Sequence, residues 1–475
     1  DVKYGPGGLR DLDVAWWACR ARWNVTDFEG LVRVGVLVPR QLVAVARARE
    51  RLWRVRNVLH AGAGRRQDRL GFDEQDRVAP LLGYCPADAE PGDQAHRDGV
   101  EQMMSDYYRA ARTISRFRDM IMGRATPILR RRRRSTVEVG AGLRVFDGEA
   151  SLADHDLLQS EPAIAFSLIE MAVERAIPLR ASSRSALVGA CGDSAWCAQL
   201  RESERAAELF VKLMTCTEET RLLRGSVARE LHDVGLLLAM IPEFGPLVGR
   251  VHHDTYHVYT VDVHSVAAVD RLCEIVRGDI VHDEVEGDRW VGSLACRVAK
   301  AIARPRVLFF ATLLHDVGKA IGRRDHSERG AEMSLTILPR LGFEPDEIER
   351  VARLIEHHLT MYLTATRRDL DDPATWEELA KLVGDRDGLV DLYLLTVADL
   401  STTSPTSMTS WKARMLDGLF CATDAFMGHA AHEDDSLAQL EGQPDEDVIT
   451  RFVAGMPPRY PQSHTADELA AHARL

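Results

Sequence analysis

The stretch Leu313-Leu314-His315-Asp316-Val317-Gly318-Lys319 decides how this chain is read. An adjacent His-Asp pair offers an imidazole nitrogen and a carboxylate oxygen to a single divalent cation. The run before it, Val307-Leu308-Phe309-Phe310-Ala311-Thr312, is apolar enough for a buried helix. Gly318 loosens the backbone after the pair, and Lys319 brings a positive charge toward whatever a metal would hold. One His-Asp pair proves little by itself. Outward from it, however, lie His264 upstream and His326, the pair His357-His358 and Asp399 downstream.

These seven groups suit a two-metal centre. Mg²⁺ takes oxygen ligands, and the softer Mn²⁺ also accepts imidazole. Two such ions about 3.5–4 Å apart share a bridging carboxylate and clamp both oxygens of an in-line displacement. Asp316 is the natural bridge. His264, His315 and Asp399 would complete one ion's shell, and His326, His357 and His358 the other's. Adjacent residues on a helix point about 100° apart, so His357 and His358 do not easily aim at one point, and one of them is expected behind the ligands. Asp316 and Lys319 are the expected catalytic groups. Lys319 has two readings: neutralising a phosphate oxygen, or a cation at a helix C-terminus favoured by the dipole.

The 475 residues suffice for two or three domains with full cores. Hydrophobic residues make up 45% and charged residues 28%, as in a soluble globular protein. The net charge of −12 argues against broad nucleic-acid binding. The block Arg130–Arg134 reads as a solvated linker, since no interleaved aromatics accompany it. No run approaches the roughly 18 uncharged apolar residues of a membrane helix, and no secretory signal opens the chain. The eight cysteines are scattered without a CxxC, which predicts reduced thiols and a cytoplasmic protein. The chain opens at Asp1 inside Lys3-Tyr4-Gly5-Pro6-Gly7-Gly8-Leu9-Arg10-Asp11-Leu12-Asp13, so a piece of a longer protein is expected.

Helical periodicity dominates. Leu42, Val45, Leu52, Val55, Val58 and Leu59 share a face, and a polar linker Cys85–Arg97 precedes a long helix over about Val100–Ile121 with Met103, Tyr107, Ala110, Ala111 and Ile114 on one side. A short strand is predicted within Thr136–Phe146. Further helices are predicted over Ala163–Arg175, Glu204–Met214 and Val227–Met240. The last contains a second Leu-His-Asp-Val-Gly, Leu231–Gly235, without the lysine and after the charged Arg229-Glu230. It also precedes His264, so His232 and Asp233 are read as a helix-surface pair. Asp11 is read as a helix cap in preference to a magnesium ligand with Asp13, because a Gly-Ser turn and a third carboxylate are missing nearby.

The ligand order His, His-Asp, His, His-His, Asp resembles the HD superfamily of metal-dependent phosphohydrolases. The opening motif, Arg65-Arg66-Gln67-Asp68-Arg69-Leu70, Ile241-Pro242-Glu243-Phe244-Gly245, His253–His264, Ser410-Trp411-Lys412 and Met456-Pro457-Pro458-Arg459-Tyr460 together resemble the bifunctional uridylyltransferase/uridylyl-removing enzymes of PII nitrogen signalling. That resemblance runs almost the full length. It implies a chain lying between a nucleotidyltransferase core, whose Gly-Ser…Ser-Asp-x-Asp is not found here, and glutamine-sensing ACT domains. The implied substrate is PII carrying UMP on a tyrosine, with glutamine as an effector acting through those further domains. Ser401 stands where the family would have arginine, and His252, His253 and His257 are assigned to the substrate side or to structure. Arg323, Arg324 and Arg329 lie near enough in sequence to help bind phosphate, with a solvated role as the equal alternative.

The expectation is thus a mainly all-α protein: a helical domain over 1–140, a connecting helical segment over 141–250, an HD domain over 251–415 and a C-terminal helix and tail over 416–475. Its expected activity is metal-dependent removal of UMP from uridylylated PII. Hydrolysis of a free nucleotide such as guanosine tetraphosphate, or a catalytically silent sensor module, stand as alternatives.

Overall fold

A computed structural model describes residues 1–125, 135–218, 226–251, 259–279, 293–322, 324–370, 372–404 and 407–438, with positions 452 and 472. Arg130–Arg134, His252, His253, His257, Arg323 and Met456–Tyr460 lie outside the described residues. The protein is mainly α-helical, with one small antiparallel sheet. Among the described residues, no helix is long and apolar enough to cross a membrane.

One apolar core gathers residues 2–121. The helix Pro39–Ala63 contributes Val45, Leu52, Val55 and Leu59, whose spacing of seven, three and four puts them on one stripe. The helix Gln94–Ala125 buries Met103, Tyr107, Ala110, Ala111 and Ile114, the face its periodicity predicts. It starts earlier than expected, because Asp93 Oδ1 accepts the His96 N–H at 2.6 Å and draws the end of the polar linker into the first turn. Val251 joins this core from much further along the chain.

A second core runs continuously from Leu143 to Phe420. Where a single strand is predicted, three strands form a meander: β1 (Thr136–Gly140), β2 (Leu143–Phe146) and β3 (Glu149–Leu152). The predicted helix Val227–Met240 is two helices, Val227–Val234 and Leu236–Met240, because Gly235 adopts φ 99° between them. Glu204–Met214 forms as predicted. Ser203 caps it by accepting the Ala206 N–H, and Phe210 packs between Phe166 and Phe310 with ring centroids 5.8 and 5.9 Å away.

The helix Pro305–Leu314 is the spine of this second core. Every residue from Val307 to Leu314 is buried, so this stretch is packed on every side, and its one polar side chain, Thr312, donates to the Leu308 carbonyl at 2.8 Å. Pro305 opens it with a preset φ and no N–H to lose. Around it stand the helices Val261–Arg277, Pro345–Glu356 and Arg386–Thr403. The helix His326–Ile337 crosses the turn that follows the spine.

Candidate metal centre

The spine helix ends at Leu314, so His315 and Asp316 leave it where its last carbonyls need partners. His315 Nδ1 lies 2.8 Å from the Thr312 carbonyl, and His358 Nδ1 lies 2.7 Å from the Ile355 carbonyl. A carbonyl only accepts, so both rings carry the proton on Nδ1 and turn Nε2 inward, the tautomer a metal requires. After Asp316 the chain tightens into a single 3-10 turn, Val317–Ala320. Gly318 is needed there because a Cβ would fall 2.0 Å from the His326 carbonyl oxygen. This close approach, more than backbone freedom, is what the glycine supplies.

Six of the seven sequence-predicted ligands converge in two groups: His264, His315 and Asp399, and Asp316, His326 and His358. In each group the ligating atoms lie within 4.8 Å of one another. His264 Nε2 is 2.9 Å from Asp399 Oδ1, and His315 Nε2 is 3.6 Å from the same oxygen. Asp316 sits between the groups. Its Oδ2 is 3.4 Å from His315 Nε2 and 3.9 Å from His264 Nε2, while its Oδ1 is 3.6 Å from His326 Nε2. The His264–His315, His315–His358 and His326–His358 ring centroids are 5.2, 5.2 and 5.4 Å apart.

His357 is not in either group. The helix Pro345–Glu356 ends just before it, and in the following turn His358 is buried while His357 lies half-buried on the far side with Arg350, Arg353 and Asp391. Lys319 Nζ lies 2.7 Å from Asp316 Oδ2, and the side chain is buried against the pair. Arg324 is exposed, and Arg329 lies against Gly322. Ser401 donates to the Ala398 carbonyl of its own helix at 3.2 Å.

The electrostatics suit a cation. His315 Nε2 is buried and makes no hydrogen bond. Burial pushes the His315 pKa down, but the Asp316 and Asp399 carboxylates outweigh it and lift it to about 9. Burial likewise opposes ionisation of Asp316, yet Lys319 and His315 hold its carboxyl well below the usual range. His358 is lowered to about 4, by burial and then by its neighbour His315, and so stays neutral. Two carboxylates and four imidazoles around an unbonded ring nitrogen fit a divalent metal.

Some groups that hold the site were not singled out in the sequence. Thr402 Oγ1 stands 3.4 Å from His264 Nδ1, behind the ring, and Arg250 ties down the Lys319 turn by donating to the Ala320 carbonyl at 3.0 Å. Both sit at helical or turn positions with no local motif. His232, read as a surface residue, is 3% exposed. Arg112, from the Gln94–Ala125 helix, and Asp262 supply the polar partners that let it be buried. Glu230 is buried beside Arg184, whose Nε donates to it at 2.6 Å. Asp11 lies inside its helix, accepts the Gly7 N–H at 2.7 Å and pairs with Arg118 at 2.8 Å, which is a structural role.

The fold and this ligand set define the HD-domain class, whose members are metal-dependent hydrolases, and residues 289–399 match the HD domain model. Residues 1–122 match the model described as GlnD PII-uridylyltransferase. A bifunctional uridylyltransferase/uridylyl-removing enzyme of Ectopseudomonas mendocina (strain ymp) is 29% identical over 490 residues, covering 99% of this chain and 52% of that protein. The enzyme of the same name from Pseudomonas aeruginosa (strain UCBPP-PA14) is 31% identical over 430 residues, 89% of this chain and 45% of that protein. The chain thus carries a GlnD PII-uridylyltransferase match over residues 1–122 and an HD domain over residues 289–399. It spans about half the length of the curated relatives it matches. His264 lies upstream of the HD match, and the fold brings it to the other candidate ligands.

Proposed function

We propose that residues of this chain remove UMP from uridylylated PII, hydrolysing the phosphodiester between UMP and a tyrosine. The observation that carries this reading is the position of Asp316, whose two carboxylate oxygens face two separate histidine-containing groups. A pair of divalent ions, Mg²⁺ or Mn²⁺, would be held by His264, His315 and Asp399 on one side and His326 and His358 on the other, with Asp316 between. When bound, such ions supply Lewis-acid stabilisation of phosphoryl oxygens and activation of water.

The chain's own groups do the rest. Thr312, Ile355 and Thr402 hold the imidazoles in register. Lys319, buried 2.7 Å from Asp316, keeps that carboxylate ionised and places an ammonium beside the reacting phosphate. Water adds to phosphorus, the bond to the tyrosine oxygen breaks, and the phenol leaves. Its pKa of about 10 makes it a far better leaving group than a ribose hydroxyl, so little general-acid help is required. A cytoplasmic setting belongs to the same proposal; of the expected segment limits, the one near residue 140 falls between the two cores, while those near 250 and 415 would divide helices that share one core. Glutamine would act through further domains of the full-length protein. Release of UMP from uridylylated PII, measured beside hydrolysis of guanosine tetraphosphate, tests the assignment: phosphodiester cleavage with an inert free nucleotide supports it, and the reverse pattern overturns it.

A further inference from the structure

Three arginines on the Gln94–Ala125 helix, Arg109, Arg112 and Arg116, are spaced by three and four and so share one face. All three reach across to the second core. Arg109 Nε donates to the Val248 carbonyl at 3.0 Å, and Arg116 Nη2 to the His232 carbonyl at 3.4 Å. Arg112 does most. Its Nη1 is 3.0 Å from Asp262 Oδ2, and its Nη2 donates to the His232 carbonyl at 3.1 Å and lies 3.1 Å from His232 Nδ1. Arginine only donates, so His232 Nδ1 accepts and its proton sits on Nε2, 3.0 Å from Asp262 Oδ2. The other Asp262 oxygen accepts the Gly249 N–H at 3.0 Å.

Asp262 is 1% exposed, in the first turn of the Val261–Arg277 helix, two residues before His264. The Arg112 pair ties that turn to the first core through a side-chain charge. We infer that Arg112 is a positioning residue for His264: through Asp262 and His232 it locks the helix start that aims His264 Nε2 at Asp399, so the residue 1–125 part sets the metal affinity of the HD part. A ligand helix displaced by a fraction of an ångström weakens the metal it helps to hold. This rests on His264 being a metal ligand, as proposed above.

The test is Mn²⁺ binding to the 475-residue chain, followed by electron paramagnetic resonance, with circular dichroism and thermal melting on the same samples. Arg112→Met is compared with Arg56→Met, which breaks a comparably buried ion pair (Arg56–Asp68, 2.6 Å) away from the site. The expected result is a Kd for Mn²⁺ raised about 10- to 100-fold in Arg112→Met, with Arg56→Met melting lower but binding Mn²⁺ like the wild type. Wild-type Mn²⁺ affinity in folded Arg112→Met overturns the inference and leaves the metal site standing. Should Arg112→Met not fold, Arg112→Lys decides, because it keeps the charge and loses the second arm: a raised Kd supports the inference and an unchanged one overturns it. A wild-type chain that binds no Mn²⁺ overturns the metal site and this inference together.

Discussion

His264 and Asp399 are 135 residues apart in sequence, yet His264 Nε2 lies 2.9 Å from Asp399 Oδ1. Each comes from a different helix, and the spine helix between them delivers His315 to the same place. Two helix faces and one helix end therefore define the site, and that makes it sensitive to single changes.

Asp316→Asn keeps the shape of the side chain and removes its charge. Loss of bound metal and of hydrolysis is expected, with the helical circular dichroism little changed. The Lys319 ammonium would lose its partner in the same variant, so a modest drop in Tm accompanies it. Wild-type turnover by Asp316→Asn contradicts the placement of Asp316 between two ions.

The adjacent histidines give a contrast. His358 is buried among the ligands, whereas His357 faces Arg350, Arg353 and Asp391. His358→Ala is expected to lose metal and activity by orders of magnitude, and His357→Ala to retain both within a few-fold. Metal content and turnover of the two purified variants check this. Equal losses would mean that His357 reaches the site in the working protein.

Gly318→Ala places a Cβ 2.0 Å from the His326 carbonyl oxygen and 2.6 Å from the Gly330 nitrogen, so backbone, not a flexible side chain, has to move. A destabilisation of about 1–3 kcal/mol or more is expected, with a larger loss of activity, because relief of the clash pushes His326 away from Asp316. Chemical denaturation and turnover measure the two effects. An unaltered protein would show that the close approach is not present in solution.

Much of this was legible because metal ligation demands particular residue types in a particular order. The apolar run Val307–Thr312 predicted a buried helix, and the His-Asp pair soon after it pointed to the candidate site. What was not legible depends on partners distant in sequence. Leu231–Gly235 looks like a surface copy of the motif until Arg112, 120 residues away, supplies the hydrogen bond that lets His232 be buried. Glu230 similarly depends on Arg184. The Val227–Met240 break at Gly235 was written in the sequence, but a glycine within an apolar helical pattern is also tolerated at a cost of about 1 kcal/mol, so pattern alone favoured one helix. His357 and His358 were separable only by the direction of the turn.

Asp391 gives a pH dependence away from the ligands. Burial, and then the Asp387 charge, push its carboxyl up to about 7. The folded state thus holds a proton that the unfolded chain releases near pH 4. Stability is full below the unfolded value and falls as pH rises toward 7, by up to about 1.4 kcal/mol per unit from this group. Asp391→Asn should flatten this part of the stability–pH curve. Identical slopes for variant and wild type between pH 4 and 7 would mean that Asp391 is ionised in the fold.

The most direct measurement of the central claim is a single assay on the purified 475-residue chain with Mn²⁺ and uridylylated PII, run beside His315→Ala. The proposed function predicts release of UMP by the wild type, none by His315→Ala, and no transfer of UMP from UTP to unmodified PII by either. UMP release that survives the loss of His315, or its absence from metal-loaded wild type, would contradict it.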